Sequence, residues 1–294
     1  MKYAGEILRE EYGEKVYKLS LSSGCTCPNR DGKLSYGGCA FCSSGGSGEF
    51  AASAADLDTQ LAQAKALISR KTAAKLFIAY FQAYTNTYGD LERLEKLYTD
   101  TVSRPEIAIL SLGTRPDCLS PEVMEMLARL KSIKPLWIEL GLQTARDDVA
   151  EAMNRGYPLC VFEDSYSKLK RAGISVIIHL IFGLPGETKS DMLNSVRYIS
   201  SLSPPPDGVK LQMLNILRGS RLGEEYERRP FPLLSREEYA QTVAEAIALL
   251  PPETAIHRMT GDGPASLIIA PDWVRDKKKT LGAITEMLKQ SGLV

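Results

Sequence analysis

The chain has 294 residues, of which 44% are hydrophobic and 24% charged, a composition typical of a globular protein that can bury a full core. Its 36 basic and 36 acidic residues cancel, which argues against a long nucleic-acid footprint because such surfaces usually carry an excess of Lys and Arg. No apolar run reaches the ~18 residues that cross a bilayer, and the charged N-terminus is unlike a signal peptide. We therefore expect a cytoplasmic protein, whose clustered cysteines are ligands or catalysts rather than disulfides.

Strands and helices are predicted to alternate from residue 15 onwards. Apolar runs predict strands over 15–22, 75–84, 107–113, 135–143, 175–183 and 208–217. Helical spacing of apolar residues predicts helices over 54–70, 90–103, 120–130, a stretch ending near 172, 189–202 and 235–250. Ser120 and Pro121 suit the N-cap and the first residue of one helix. Nearly continuous apolar strands, each followed by a helix, indicate a buried parallel sheet.

Polar residues gather where these strands end, which in a barrel of parallel strands is where active sites form. No Gly-x-Gly-x-x-Gly turn follows the first strand, so a Rossmann site has little support. A full barrel has eight strand–helix units and this chain has six predicted ones. We therefore expect an α/β fold, a partial (β/α)6 TIM-type barrel with an open side, over residues 1–250.

A short C-terminal extension, residues 251–294, does not continue the alternation and is expected to close that open side. Its polar and aromatic candidates for this role are His257, Arg258, Asp262, Trp273 and Lys277. Trp273 and Lys277 beside a cleft would suit a base and its phosphate. Core packing of Trp273 is the alternative.

Four of the six cysteines lie in CTCPNRDGKLSYGGCAFC, directly after the first predicted strand. Cys39 and Cys42 form a C-x₂-C hook, whereas Cys25 and Cys27 are too close in sequence to make a good second hook for zinc. Without Cys25, three thiolates remain and would leave one iron of a [4Fe–4S] cluster open to another ligand. The spacing favours such a cluster, with structural zinc and reactive thiols as alternatives.

The sequence resembles the radical S-adenosylmethionine (SAM) superfamily, in particular its YhcC/YtqA (MnmL-like) branch, which is related to the Elp3 and oxygen-independent coproporphyrinogen oxidase groups. The segments that carry the resemblance span nearly the whole chain and are CPNRDGKLSYGGCAFCSSGGSGEF, YFQAYTNTY, SLGTRPDCL, ELGLQTARDDVAEAMNRGY, HLIFGLPGET and HRMTGDGP. The resemblance implies an N-terminal loop in which Cys27, Cys39 and Cys42 hold a [4Fe–4S] cluster and Cys25 is not a ligand. It also implies reductive cleavage of bound SAM to a 5′-deoxyadenosyl radical, which removes a hydrogen from the substrate.

Six further positions match residues that contact SAM in related enzymes, and these are Phe41, Gln82, Gln143, Arg155, Gly183 and Pro185. By this resemblance, Gln82 faces the SAM amino group, while Gln143 and Arg155 hold the ribose and the methionine carboxylate. The other three border the adenine. Structural alternatives are anchoring of the loop by Phe41, capping of a strand by Gln82 and a surface salt bridge for Arg155.

Arg115, Cys118 and His179 are the candidates for contact with the substrate. Related enzymes often have Glu before TRPD, where this chain has Gly113, so Arg115 and its neighbour Asp117 become candidates for a polar network facing the substrate. Cys118 is either a thiol donor or a small buried residue. His179 points either into the barrel mouth or into the core.

The resemblance further implies tRNA as substrate, namely conversion of the wobble nucleoside 5-carboxymethylaminomethyl-uridine to 5-aminomethyl-uridine. An electron donor such as flavodoxin or ferredoxin and a downstream tRNA methyltransferase are the implied partners, and no membrane is involved. The alternatives are a small-molecule radical SAM reaction, such as porphyrinogen decarboxylation, and a non-enzymatic, zinc-stabilised RNA-binding module.

Overall fold

The computed structural model of the chain describes residues 2–46, 48, 50–52, 56–69, 72–261 and 263–293. Its strands are β1 (Val16–Leu21), β2 (Leu76–Phe81), β3 (Ile107–Thr114), β4 (Leu136–Gln143), β5 (Ser175–Phe182), β6 (Gly208–Met213), β7 (Ile216–Leu217), β8 (Ala255–Arg258) and β9 (Ile268–Ala270). Strands β1 to β6 and then β8 pair in parallel, in that order, as one curled sheet. Strands β7 and β9 pair antiparallel beside it. The fold is therefore the expected partial barrel, with seven strands in its main sheet.

The helices are α1 (Ala4–Tyr12), α2 (Leu57–Ile68), α3 (Leu91–Val102), α4 (Pro121–Ile133), α5 (Asp147–Ala152), α6 (Leu159–Arg171), α7 (Lys189–Ser200), α8 (Arg221–Arg228), α9 (Arg236–Leu249) and α10 (Lys277–Gln290). Several of them pack directly on the sheet, with α2 against β1, α3 against β3 and α6 against β5. Helix α3 is typical, because Leu94, Tyr98 and Val102 recur at helical spacing and are all buried. Ser120 caps α4 by accepting a hydrogen bond from the Val123 amide, and Pro121 is its first residue, as predicted.

The ends of the sheet are bridged by the N-terminal segment. The Ile256 amide of β8 donates to the Lys2 carbonyl at 2.9 Å, and α1 packs against both β1 and β8. Helix α10 packs on α9. None of the helices in the described part of the chain is both long and apolar enough to span a membrane.

Three sequence predictions about the elements were wrong in detail. The segment predicted as one strand over 208–217 is two strands, because β6 ends at Met213 and Ile216–Leu217 pair instead with β9. The helical stretch ending near 172 is two helices, since Asn154 and Gly156 have positive φ angles and Pro158 then caps α6. Six strands were counted where the sheet has seven, because β8 is only four residues long.

Helices α1 and α8 were not predicted. Helix α8 is almost entirely polar, and Leu222 and Gly223 are its buried residues. Helix α1 buries only Leu8. Short polar helices such as these have too little apolar periodicity for a sequence pattern to detect.

Candidate active site

A cavity of about 1450 Å³ lies on the concave side of the sheet. The strands line it with Lys18, Tyr80, Gly113, Glu139, His179, Lys210 and Arg258. The loop after β1 lines it with Cys27, Cys39 and Cys42. The cysteine loop and the inner wall of the sheet therefore face one common space.

The cysteine loop is held in place by the residues that follow α5. The Ala40 amide donates to the Met153 carbonyl at 2.8 Å, and the Asn154 side-chain amide donates to the Gly38 carbonyl at 2.8 Å. Asn29 donates in turn to the Asn154 carbonyl. Within the loop, the Cys42 amide closes a turn on the Cys39 carbonyl. This hydrogen bonding places the loop without a helix or strand of its own.

Cys25 lies apart from the three thiols that line the cavity. It is 8% exposed and belongs to the apolar core, and its sulfur is 3.9 Å from an Arg93 guanidinium nitrogen. Burial raises the pKa of the Cys25 thiol. Cys25 thus has the surroundings of a structural cysteine, whereas Cys27 faces the cavity.

Cys39 has the surroundings of a thiolate. A hydrogen bond from Cys42 lowers its pKa to about 7 against the effect of burial, and Arg115 and Asn29 act in the same direction. The Asn29 side-chain nitrogen lies 3.6 Å from the Cys39 sulfur. The Asn29 side-chain oxygen is buried and has no hydrogen-bond partner in the described part of the chain. Three thiols on one cavity, one of them readily ionised, are a donor set that suits an iron–sulfur cluster.

Four of the six predicted SAM-binding residues line the cavity, namely Phe41, Gln82, Gln143 and Arg155. Gly183 and Pro185 are not among the described residues that line it. Gly183 has a φ of 90° at the end of β5 and packs near Leu234. Gln143 follows a register shift in β4 and has a φ of 64°, an unusual backbone conformation for a residue with a side chain.

Arg155 is almost completely buried, and its guanidinium group is largely engaged by the protein itself. It donates to the carbonyls of Leu142 at 3.0 Å, Thr144 at 2.8 Å and Tyr157 at 3.0 Å, and it pairs with Asp147 at 2.9 Å. These contacts hold together the segment that follows β4. A role for Arg155 in binding the SAM carboxylate remains a prediction.

Of the substrate candidates, Arg115 and His179 line the cavity and Cys118 is not among the described residues that do. Arg115 forms a bidentate ion pair with Asp117, with distances of 2.9 and 2.7 Å. Burial opposes the charge of Arg115, but Asp117 raises its pKa. Burial also raises the pKa of Cys118 to about 12, so this thiol stays protonated near neutral pH. Their contact with a substrate remains a prediction.

From the C-terminal extension, His257, Arg258 and Lys277 line the cavity. Trp273 instead packs against Tyr239, with ring centroids 5.6 Å apart, and its indole nitrogen donates to the Leu234 carbonyl at 2.8 Å. Core packing is therefore its role in this structure. Asp262 lies outside the described residues.

A buried polar cluster of the cavity wall was represented in the sequence analysis by His179 alone. We call it the Glu139 cluster, and it consists of Lys18, Ser111, Glu139, His179 and Lys210, from five different strands. One carboxylate oxygen of Glu139 accepts from Lys18 at 2.8 Å and from Ser111 at 2.9 Å. The other contacts Lys210 and lies 2.8 Å from the His179 Nε2 atom.

The cluster keeps Glu139 ionised and His179 neutral. Burial alone raises the pKa of Glu139, but Lys18, Lys210 and His179 outweigh this effect and hold the pKa well below its usual value. Burial, and then Lys210, lower the pKa of His179 to about 4. Because an ionised carboxylate only accepts hydrogen bonds, Nε2 of the neutral ring must carry the proton that binds Glu139.

A sequence signal for this cluster existed. Three mostly apolar strands each contain one charged residue, namely Lys18 in VYKLSL, Glu139 in LWIELGLQ and Lys210 in GVKLQM. Lys and Glu are almost never fully buried unless they are paired. A charged residue in each of three buried strands could therefore have indicated an ionic group inside the barrel.

The family model described as the radical SAM superfamily matches residues 23–199, more than half of the chain, and the model of the radical SAM C-terminal domain matches residues 206–290. The chain belongs to the radical SAM superfamily. It is accordingly an enzyme of the kind that uses a [4Fe–4S] cluster, SAM and an electron donor. Cys27, Cys39 and Cys42, which line the cavity, remain its predicted ligands.

Two relatives match this chain over nearly its whole length. YtqA of Bacillus subtilis is 39% identical over 286 residues, covering 97% of this chain and 88% of that protein. YhcC of Escherichia coli is 34% identical over 292 residues, covering 99% of this chain and 93% of that protein.

Among solved structures, Elp3 of Methanocaldococcus infernus without its N-terminal residues 1–46 has a TM-score of 0.69 at 17% identity. The match covers 95% of this chain but 64% of the Elp3 chain, so this protein spans less than two thirds of Elp3. At this identity the likeness shows a shared fold. The half-barrel fold is therefore common to both chains.

Proposed function

We propose that this radical SAM enzyme modifies the wobble uridine of tRNA, converting 5-carboxymethylaminomethyl-uridine to 5-aminomethyl-uridine. Support comes from the resemblance to the YhcC/YtqA branch and to the Elp3 group, which acts on wobble uridine. The enzyme would act in the cytoplasm, with a flavodoxin or ferredoxin as electron donor and a tRNA methyltransferase acting on its product.

The feature of the cavity that carries this proposal is its basic lining. Arg30, Arg275 and Lys277 all line it, and Arg30 stacks over the Tyr84 ring at 5.6 Å. A base turned out of an RNA loop can stack on aromatic and guanidinium planes, while basic side chains contact its phosphates. Although the net charge of the chain is zero, a local set of cations suffices for one nucleotide.

In this proposal Cys27, Cys39 and Cys42 hold the cluster. When bound, the cluster and SAM supply a 5′-deoxyadenosyl radical that abstracts hydrogen. Gln82 and Gln143 orient SAM from the ends of β2 and β4. Positioning the substrate brings the methylene carbon of the carboxymethyl group to the place where hydrogen is removed. Loss of one further electron, which balances the electron that the donor supplied, would leave an imine. Hydrolysis of this imine would release the carboxymethyl group as glyoxylate and leave the aminomethyl group.

The assignment is tested by comparing the nucleosides of digested tRNA from cells with and without the gene. Cells without it should accumulate 5-carboxymethylaminomethyl-uridine and lack 5-aminomethyl-uridine and its methylated product. A plasmid-borne wild-type gene should restore the pattern, whereas a Cys27→Ala gene should not. If every wobble-uridine derivative is unchanged by deletion, the tRNA function is wrong, although the radical chemistry can stand.

A further inference from the structure

The Glu139 cluster is a group of buried charges inside the barrel that the proposed cluster and SAM contacts do not use. Lys18 lies three residues before the end of β1, and Glu139 lies four residues before the end of β4. At roughly 3.3 Å per residue, these charges lie about 10 Å deeper than the strand ends. A substrate group that reaches the cluster must extend inward from the mouth of the barrel.

The cluster has two lysines and one carboxylate. Lys18 and Lys210 both bond to the carboxylate of Glu139. His179 adds no charge, and burial lowers the pKa of Lys210 well below its usual value, which disfavours its charged form. An anionic group that enters the cavity would therefore be stabilised mainly by the ammonium group of Lys18.

Lys18 is the most exposed of the ionisable side chains in the cluster. It is 24% exposed, against 18% for the neutral His179, 2% for Lys210 and none for Glu139. The Lys18 ammonium group has three N–H donors, and Glu139 is its one hydrogen-bond acceptor in the described part of the chain. The Tyr80 ring, whose centroid is 4.3 Å away, restricts its position further. Donors therefore remain for a ligand.

We propose that Lys18 binds a carboxylate of the substrate, and that Glu139 and Lys210 position the Lys18 ammonium group for this contact. Given the function proposed above, on which this assignment of the ligand rests, the carboxylate is that of the carboxymethylaminomethyl group. Anchoring this group also fixes the position of the adjacent methylene carbon, which is one bond from the carboxylate. The same contact selects the carboxylated nucleoside over its aminomethyl product, which has no negative charge.

The test measures binding to the reconstituted holoenzyme with SAM and without reductant, so that no turnover occurs. The probes are an anticodon stem-loop RNA with 5-carboxymethylaminomethyl-uridine and the same RNA with the uncharged methyl ester. Wild-type protein should bind the acid at least about tenfold more tightly than the ester. Lys18→Met should lose that preference while retaining the iron content and circular dichroism of the wild type.

Two variants serve as controls. Lys18→Arg keeps the charge and should retain a preference for the acid, which separates loss of charge from loss of folding. Lys96→Met removes an exposed lysine of α3 that pairs with Asp100, and it should bind both probes as the wild type does. A Lys18→Met protein that keeps the wild-type preference would overturn the proposal.

A second probe separates this inference from the tRNA assignment. Thermal stabilisation of the holoenzyme is measured with free 5-carboxymethylaminomethyl-uracil and with its methyl ester. One outcome is that the RNA is neither bound nor modified, while the free acid stabilises the wild-type protein but not Lys18→Met. That outcome would support the carboxylate site and contradict the tRNA function. If wild-type protein prefers the acid in neither form, the carboxylate site is wrong even where tRNA is modified.

Discussion

Cys25 and Cys27 are separated by one residue and nevertheless have opposite environments. Cys25 packs into the core beside Arg93, whereas Cys27 faces the cavity with Cys39 and Cys42. A turn begins at Cys27, where the Arg30 amide donates to the Cys27 carbonyl. The chain enters the cysteine loop through this turn. The surroundings of each thiol in the fold, rather than the sequence spacing of the cysteines, distinguish Cys25 as a core residue from Cys27 as a candidate ligand.

This difference predicts the effect of removing each thiol. Cys27→Ala, Cys39→Ala and Cys42→Ala should each lose the cluster, because three thiolates are the minimum set proposed to hold it. Cys25→Ala should keep about four irons per chain and the brown colour of the wild type. Iron and sulfide analysis of anaerobically purified proteins checks this, and equal iron loss from Cys25→Ala would show that Cys25 is a ligand.

At the scale of elements, the short strand β8 completes the sheet by packing closely on β6. Gly208, the first residue of β6, lies against the His257 ring, and a Cβ atom there would be 2.4 Å from that ring and 3.2 Å from the Ala255 carbonyl oxygen. The ring cannot simply move away, because it packs edge-on against Trp137. The absence of a side chain at Gly208 therefore allows β8 to join the barrel.

Gly208→Ala should lower the free energy of unfolding by about 1–3 kcal/mol, since it forces an overpacked contact at the β6–β8 junction. The matched control is Gly282→Ala in α10, where a Cβ would meet nothing within 4 Å. That variant should gain up to about 1 kcal/mol from helix propensity. Chemical denaturation of both variants measures the two effects, and equal changes would contradict the packing argument.

At the scale of the whole molecule, both histidines of the chain are held neutral inside the barrel. Burial, and then Lys210, lower the pKa of His179 to about 4, and burial, and then Lys18, lower that of His257 to about 3. In the unfolded chain both would titrate near 6.5. The unfolded state therefore binds more protons than the folded state at mildly acidic pH.

The protein should consequently lose stability as the pH falls below about 6.5. The loss is on the order of 2 kcal/mol for each histidine by pH 5. Glu187, whose pKa burial raises to about 7, acts in the opposite direction, since its contribution to stability declines as the pH rises towards 7. Denaturation midpoints of wild type and His257→Gln at pH 7.5 and pH 5.0 isolate the histidine effect. The variant should show the smaller drop, and an equal drop in both would show that His257 does not titrate on unfolding.

Much of the fold could be predicted from the sequence, because strand and helix patterns depend on neighbouring residues. The apolar run of β3 and the spacing of Leu94 and Tyr98 in α3 are both buried as predicted. Strand β8 could not be predicted from the sequence, since four residues are too few to show a reliable hydrophobic period. Its position in the sheet depends on pairing with β6 and on the hydrogen bond to the Lys2 backbone.

By itself, the sequence determined the order of the barrel elements and the loop with three candidate ligand thiols, because periodicity and spacing are local properties. Only the tertiary structure decided that Lys18 and Lys210 meet on Glu139, from which they are 121 and 71 residues distant in the chain. Contacts of this kind depend on strand register and sheet curvature, which bring side chains from separate strands to one point. The charge of the cavity wall, and with it the proposed carboxylate site, follows from that convergence.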